Sequence, residues 1–274
     1  MATPLWWVKI IKKCFDLRFM GAEMTKWPLV GPVMERALFN GHRTGDALFY
    51  LPKDRVVIRQ KIDPQESIAV PSTIVAHFIE EATHVFLMNE CICRTAADCQ
   101  EYDHDLGCIF LGEAVLDINP NLGRLVDKQT ALDHAARARK AGLVHLIGRD
   151  KIDAVWMGVK PSTRLMTICN CCSCCCLFKF LPNLAPKLQM KVERLPGVQI
   201  TVSEDCTGCG ICTEGVCFID AIHLVDGVVV IDESCRACGN CVEVCPQDAI
   251  FVIIYRSDYI ENAIDRLKQA VDVR

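Results

Sequence analysis

No stretch of the 274-residue chain approaches the roughly 18–20 uninterrupted apolar residues that a membrane-spanning helix needs. A surplus of positive charge is missing too: 30 Lys and Arg stand against 34 Asp and Glu, a formal charge of −4. That leaves no basic field to hold a nucleic-acid backbone. The phosphate loops GxGxxG and GxxxxGK[ST] do not occur, and neither do GxSxG and HExxH. A bound nucleotide or flavin and a stand-alone hydrolase therefore have no support. The first twenty residues spread their charges and lack a cleavage-type run of small residues, so no secretory signal is expected.

What is present is apolar bulk and sulfur. Apolar residues make up 51% of the chain and charged ones 23%, with a mean hydropathy of +0.22. That is too apolar for a disordered chain, and the length suffices for one large domain or two ordinary ones. Cysteines number 19. Disulfides, zinc and iron–sulfur clusters compete to explain them. The total is odd, and several cysteines are sequence neighbours, which pair poorly with each other. Metal binding in a reducing, cytoplasmic compartment is the expectation.

The cysteines fall into groups. Cys14 stands alone on an apolar stretch and reads as a small buried hydrophobe. Cys91, Cys93, Cys99 and Cys108 form a loose group, and Cys169, Cys171, Cys172, Cys174, Cys175 and Cys176 a dense one. Two further runs follow, Cys206, Cys209, Cys212, Cys217 and Cys235, Cys238, Cys241, Cys245. Pro182, Pro186 and Pro196-Gly197 punctuate the chain between the dense group and these runs, which marks a domain boundary near residue 195.

The expected fold class is α+β: an irregular cysteine-rich α/β domain over 1–195, a second domain over 196–256 and a terminal helix over 257–274. Upstream, helices are expected from Pro71 to about Thr83, over Leu106–Leu116 and over Asp127–Ala141. Strands are expected at Leu143–Ile147 and Leu165–Ile168. The last helix should run from about Ser257 to Val273, with Asp258 and Glu261 at capping-box spacing. After Gly197 an internal repeat of about 28–29 residues appears. Val202-Ser-Glu-Asp-Cys206 is echoed by Ile231-Asp-Glu-Ser-Cys235, and Asp220-Ala-Ile222 by Asp248-Ala-Ile250. The first unit carries one inserted residue.

The run Cys235-Arg-Ala-Cys238-Gly-Asn-Cys241-Val-Glu-Val-Cys245-Pro246 has the spacing C-x2-C-x2-C-x3-C-P. Over about residues 199–255 the chain resembles the bacterial 2[4Fe-4S] ferredoxin family. The resemblance implies one cluster on Cys206, Cys209, Cys212 and Cys245, and another on Cys235, Cys238, Cys241 and Cys217. Gly208, Gly210 and Gly239 sit between those ligands. The first run departs from the family: four residues separate Cys212 from Cys217, and Phe218 stands where the family has proline. A small bulge near Gly215 is the expected consequence. A pair of zinc knuckles is the competing reading.

The ten upstream cysteines match no family spacing and exceed what two cubanes need. If Cys171–Cys176 is helical, Cys171, Cys174 and Cys175 share one face. One or two further iron–sulfur clusters are the expectation there, with structural zinc or a substrate-binding cluster as alternatives. His104, among acidic residues between two cysteines, is a candidate non-thiolate ligand, whereas His145 reads as a core residue and His77 and His84 as packing. Leu5–Met20 reads as one amphipathic helix with a basic face and Trp6 and Trp7 at its start. It either packs on the protein or a partner, or makes a peripheral membrane contact on the cytoplasmic face.

Together these features point to a multi-cluster electron-transfer protein or subunit of an anaerobic oxidoreductase system, working with a redox partner protein and no nucleic acid. Clusters of this type work at low potential, on the order of −400 mV. An enzyme with a substrate-binding cluster in the upstream domain is the alternative, and a redox- or oxygen-sensing interaction protein a second.

Overall fold

The computed structural model describes residues 3–39, 47–54, 58–60 and 71–274. The strongest local signals act as expected. Asp127 accepts a hydrogen bond from the Thr130 N–H (2.7 Å) and starts a helix over Lys128–Lys140. Its inward face carries Ala131, His134, Ala135 and Ala138 at i, i+3, i+4 and i+7. In chain order the elements begin with α1 (Leu5–Lys13), α2 (Leu17–Met24), α3 (Gly31–Leu38), β1 (Ala47–Tyr50) and β2 (Ile58–Gln60). Next come α4 (Ser72–Glu81), β3 (Val85–Met88), α5 (Ile92–Ala96), β4 (Ile109–Leu111), β5 (Gly123–Val126) and α6 (Lys128–Lys140). They continue with β6 (Val144–Arg149), α7 (Lys151–Met157), β7 (Met166–Cys171), α8 (Pro186–Gln189) and β8 (Val192–Arg194). The chain closes with β9 (Val198–Val202), β10 (Ile222–Val225), β11 (Val228–Ile231), α9 (Asn240–Glu243), β12 (Ile250–Ile254) and α10 (Tyr259–Ala270).

This is a mixed α+β structure. Seven strands form one sheet in the order β5-β3-β4-β7-β6-β1-β8, antiparallel except where β1 meets β8. Antiparallel pairing decides where the upstream cysteines go. Ile109 faces Leu87 on one side and Ile168 on the other. The end of β3, the start of β4 and the end of β7 therefore lie together, and Cys91, Cys108, Cys169 and Cys171 with them.

A second sheet has the order β2-β12-β9, with β12 antiparallel to β9 and parallel to β2. β10 and β11 form a hairpin turned at Asp226-Gly227, both at positive φ, the backbone that a two-residue hairpin loop prefers. One core runs through both sheets. Phe49, Ile74, Phe78 and Ile109 share it with Ile250, Val252, Tyr259 and Leu267. Each such fully buried side chain contributes about 1.5–3 kcal/mol through removal from water.

Several local expectations are corrected. Leu106–Leu116 is not a helix: Ile109-Phe110-Leu111 is a fully buried central strand, Gly112 turns at φ +105°, and only a 3-10 turn over Glu113–Asp117 follows. Three consecutive buried apolar residues between two neighbouring strands fit a strand covered on both faces. Cys171–Cys176 is not helical either, because β7 extends to Cys171 and a turn follows. Leu5–Met20 is two helices. The chain bends at Cys14–Asp16, which buries Phe15 and lays the Arg18 guanidinium 3.9 Å from its ring centroid. Cys14 itself is exposed. Asp258 does not cap α10, since Arg256 Nε and Nη2 both donate to its carboxylate (2.9 and 2.6 Å).

One glycine is indispensable to the large sheet. Gly148 lies at φ +146°, and a Cβ there would stand 1.8 Å from the Ala47 carbonyl oxygen across the β1–β6 pair. Gly148→Ala is expected to lower the unfolding free energy by about 1–3 kcal/mol, read as a shifted midpoint in anaerobic urea unfolding. An unchanged midpoint would refute the close approach.

Candidate metal centres

All nineteen cysteines are free thiols, and eighteen of them gather into four sets. In the repeat region, Cys206, Cys209, Cys212 and Cys245 line one small pocket with Val229, Pro246 and Ile250. Cys217, Cys235, Cys238 and Cys241 line a second with Ile200, Phe218 and Ile222. The fourth cysteine of each run thus crosses to the pocket of the other. Burial pushes the Cys238 thiol up to about 12 and Cys241, Cys235 and Cys212 above their ordinary value. Buried thiols of this kind are poor acids by themselves and need a cation to ionise them.

The backbone is shaped to the same end. Ala221 and Ala237 donate N–H groups to the sulfurs of Cys217 and Cys235, each at 3.4 Å. Gly208, at φ +67°, passes so close to the β10–β11 turn that a Cβ would stand 2.0 Å from the Gly227 carbonyl oxygen. The inserted residue of the first run is taken up around Gly215 at φ +70°. Phe218, in the place of proline, is buried with its ring centroid 4.7 Å from that of Tyr50.

Upstream, Cys91, Cys93, Cys108, Cys169, Cys171 and Cys176 line one cavity of about 410 Å³, whose wall Cys14 and Cys172 also join. Trp7, Ile11, Phe15 and Arg18 cover it from the N-terminal helices, and Trp156 and Phe178 complete its wall. Cys169 and Cys171 share a strand face by the period of two. The sulfurs of Cys108 and Cys169 approach to 3.3 Å, well beyond a disulfide bond. Asp153 stands in the wall, fixed by the Thr167 hydroxyl (2.7 Å) and the Trp156 indole N–H (2.8 Å), both donating to its carboxylate.

The remaining four, Cys99, Cys172, Cys174 and Cys175, bring their sulfurs within 4.8 Å of one another. Among the described residues this is the one group of three or more thiol, imidazole or carboxylate ligand atoms so close together. Burial pushes Cys175 up to about 12 and Cys174 higher still. The expected face of Cys171, Cys174 and Cys175 is therefore divided, with Cys171 in the cavity and the other two in the compact set. His104 is not among its ligand atoms. Its Nε2 pairs with the Cys99 carbonyl oxygen at 2.9 Å.

Two residues that sequence reasoning passed over hold these sets together. Arg94 is fully buried. Its Nε donates to the Asp103 carbonyl (3.1 Å), Nη1 to that of Asn170 (2.9 Å) and Nη2 to that of Leu106. Burial opposes its charge, but the thiols of Cys91 and Cys172 outweigh that and hold its pKa above the ordinary value. Arg94 thus lies between the cavity and the compact set. Its position directly after Cys93 was the available signal, since a charge on a short helix end otherwise reads as solvated.

Tyr50 is the second. It is fully buried, and its hydroxyl has no partner among the described residues. Burial, and then the thiols of Cys176, Cys171 and Cys238, push its pKa well up. An orphaned hydroxyl beside thiols of two different sets fits a place next to inorganic sulfur, which would accept a hydrogen bond from it.

Residues 228–251 match the family model of the 4Fe-4S binding domain. No curated protein and no solved structure matches the chain. The match and the grouped cysteines make the C-terminal region a ferredoxin-type 4Fe-4S domain holding at least one cluster, and they mark the chain for iron–sulfur electron transfer. Among the described residues no helix is long and apolar enough to cross a membrane.

Proposed function

We propose that this chain is a multi-cluster iron–sulfur electron-transfer protein, or a subunit, that passes single electrons at low potential within an anaerobic oxidoreductase system. One [4Fe-4S] cluster is assigned to Cys206, Cys209, Cys212 and Cys245, and a second to Cys217, Cys235, Cys238 and Cys241. A third iron–sulfur centre is assigned to the six-cysteine cavity. Bound clusters supply reversible one-electron couples. The chain's own residues set the thiols in place, exclude water with apolar walls and give N–H groups to sulfur.

One observation carries this reading. Cys171 and Cys176 of the cavity and Cys217, Cys235 and Cys238 of the ferredoxin side pack against a single apolar core that also holds Tyr50 and Phe218. The dry contact between two thiol sets is what a short electron path requires. The proposed domain scheme remains 1–195, 196–256 and 257–274; residues of the first two meet at this core, and Tyr259 and Leu267 of the third lie in the other core. The test is iron and acid-labile sulfide per chain on anaerobically purified protein. About twelve irons are expected, at four per cubane. About eight would leave the cavity without a cluster and sink the three-centre path.

A second reading is favoured by the cavity itself. Six thiols exceed the four that a cubane takes, and about 410 Å³ leaves room beside a cluster. The chain then acts as a reductase whose cavity cluster binds a small molecule and is fed from the ferredoxin side. An electron paramagnetic resonance signal, lost in Cys93→Ser and moved by added substrate, would turn the assignment from carrier to enzyme.

The proposed partner is a redox protein or oxidoreductase complex on the cytoplasmic side of a membrane. Residues 1–39 carry six basic and three acidic side chains in a chain that is acidic overall. Trp6, Trp27 and Leu29 are exposed there. Basic charge with exposed tryptophan supports peripheral contact with an anionic membrane surface.

A further inference from the structure

We infer that Cys99, Cys172, Cys174 and Cys175 hold a single zinc ion, and that this site is a staple separate from the iron–sulfur centres. The size of the site distinguishes it. One ion bonded to four thiolates at about 2.3 Å sets neighbouring sulfurs about 3.8 Å apart in a tetrahedron. A cubane inserts a four-iron core between its thiolates and spreads them further. These four sulfurs all lie within 4.8 Å of one another, and Cys99 and Cys174 are 3.5 Å apart. The eight sulfurs of the ferredoxin side form no group of three so tight, and neither do the six of the cavity. The two kinds of site thus differ in scale within one molecule.

Surroundings point the same way. Cys99, Cys172 and Cys175 are buried in a small core of their own with Leu106, Ala138 and Leu143, apart from the core that joins the cavity to the ferredoxin side. Cys172 also borders the cavity, so the site adjoins the cavity while keeping a core of its own. A closed set of four thiolates, with no open position, is the donor set of structural zinc. The segments it would tie lack regular structure: the loop after α5 and the turn after β7, against the end of α6. Zinc has neither redox chemistry nor a preferred geometry of its own, so it fits where only cohesion is needed.

The inference is independent of the electron-transfer reading, and the experiment separates the two. Full-length protein is purified anaerobically from zinc-supplemented medium, and zinc and iron are measured on the same sample. One zinc per chain is expected, with a zinc-edge absorption spectrum showing four sulfurs at about 2.3 Å and no metal–metal distance. In Cys174→Ser, whose altered residue is the least buried of the four, zinc per chain should fall at least tenfold while iron and sulfide stay at the parent value. Zinc below a tenth of an equivalent in the parent overturns the assignment. So does a variant that loses iron, whether one atom or four. The parent spectrum decides the question by itself if the variant fails to fold. A low iron count with zinc intact would strike the electron-transfer reading alone.

Discussion

Arg94→Met is expected to destabilise the protein by about 3–5 kcal/mol, because it removes three charge-assisted hydrogen bonds and leaves buried carbonyls without donors. The carbonyls of Asp103, Leu106 and Asn170 all take their hydrogen bonds from this one guanidinium. Two of them belong to the segment between Cys99 and Cys108, which supplies one thiol to each upstream set. The variant should therefore lose metal from both upstream sets and keep the ferredoxin-side iron. Arg94→Lys should restore little of it, since an ammonium cannot reach three carbonyls with one planar fork. Metal content per chain and anaerobic urea midpoints check the result. Full metal retention in the methionine variant would show that the guanidinium is dispensable.

The second large effect concerns acid. Burial, and then the charge of Arg139, hold the His145 pKa down to about 4 from its ordinary 6.5. Arg139 Nη1 lies 3.4 Å from Nε2, and Nδ1 has no partner among the described residues. Below pH 6.5 the unfolded chain takes up a proton that the native state refuses. The stability present above that pH is lost as the pH falls toward 4, to a total of about 3.4 kcal/mol. Between pH 7.5 and 5.5 the same linkage amounts to about 1.3 kcal/mol. His145→Gln, compared with the parent at both pH values, should lose stability less steeply by that amount. Parallel pH profiles would rule out a buried neutral imidazole.

The two regions were unequally readable. In the repeat region, cysteines three apart on a tight loop must share a wall, so spacing grouped the first three of each run. The resemblance to the two-cluster ferredoxins implied the crossing of Cys217 and Cys245. Upstream the grouping depends on strand order. Cys91, Cys108 and Cys169 meet only because β4 lies antiparallel between β3 and β7, and no local pattern carries that pairing. Reading Cys171–Cys176 as helical put Cys171 with Cys174 and Cys175. The backbone instead leaves the strand at Cys171 and sends Cys172, Cys174 and Cys175 to Cys99. Helix α6 was legible because Asp127 caps it and its alanines keep a helical period. β4 was not, because a three-residue apolar run beside an acidic stretch satisfies either period. Tyr50 gave no sign of its place, since its neighbours come from three distant segments.

The parallel pairing of β2 with β12 also imposes an order of events on biosynthesis. Ile58 and its partner Val252 are nearly two hundred residues apart. At about 5–20 residues per second the first strand waits roughly 10–40 s for the second to be synthesised. During that interval the first strand has left the ribosome unpaired and the upstream thiols, Cys91 to Cys176, emerge one after another. The sheet behind the ferredoxin-side cysteines can close only afterwards, so protecting those early thiols from oxygen and from stray metal is a task for the cell before the fold can take it over.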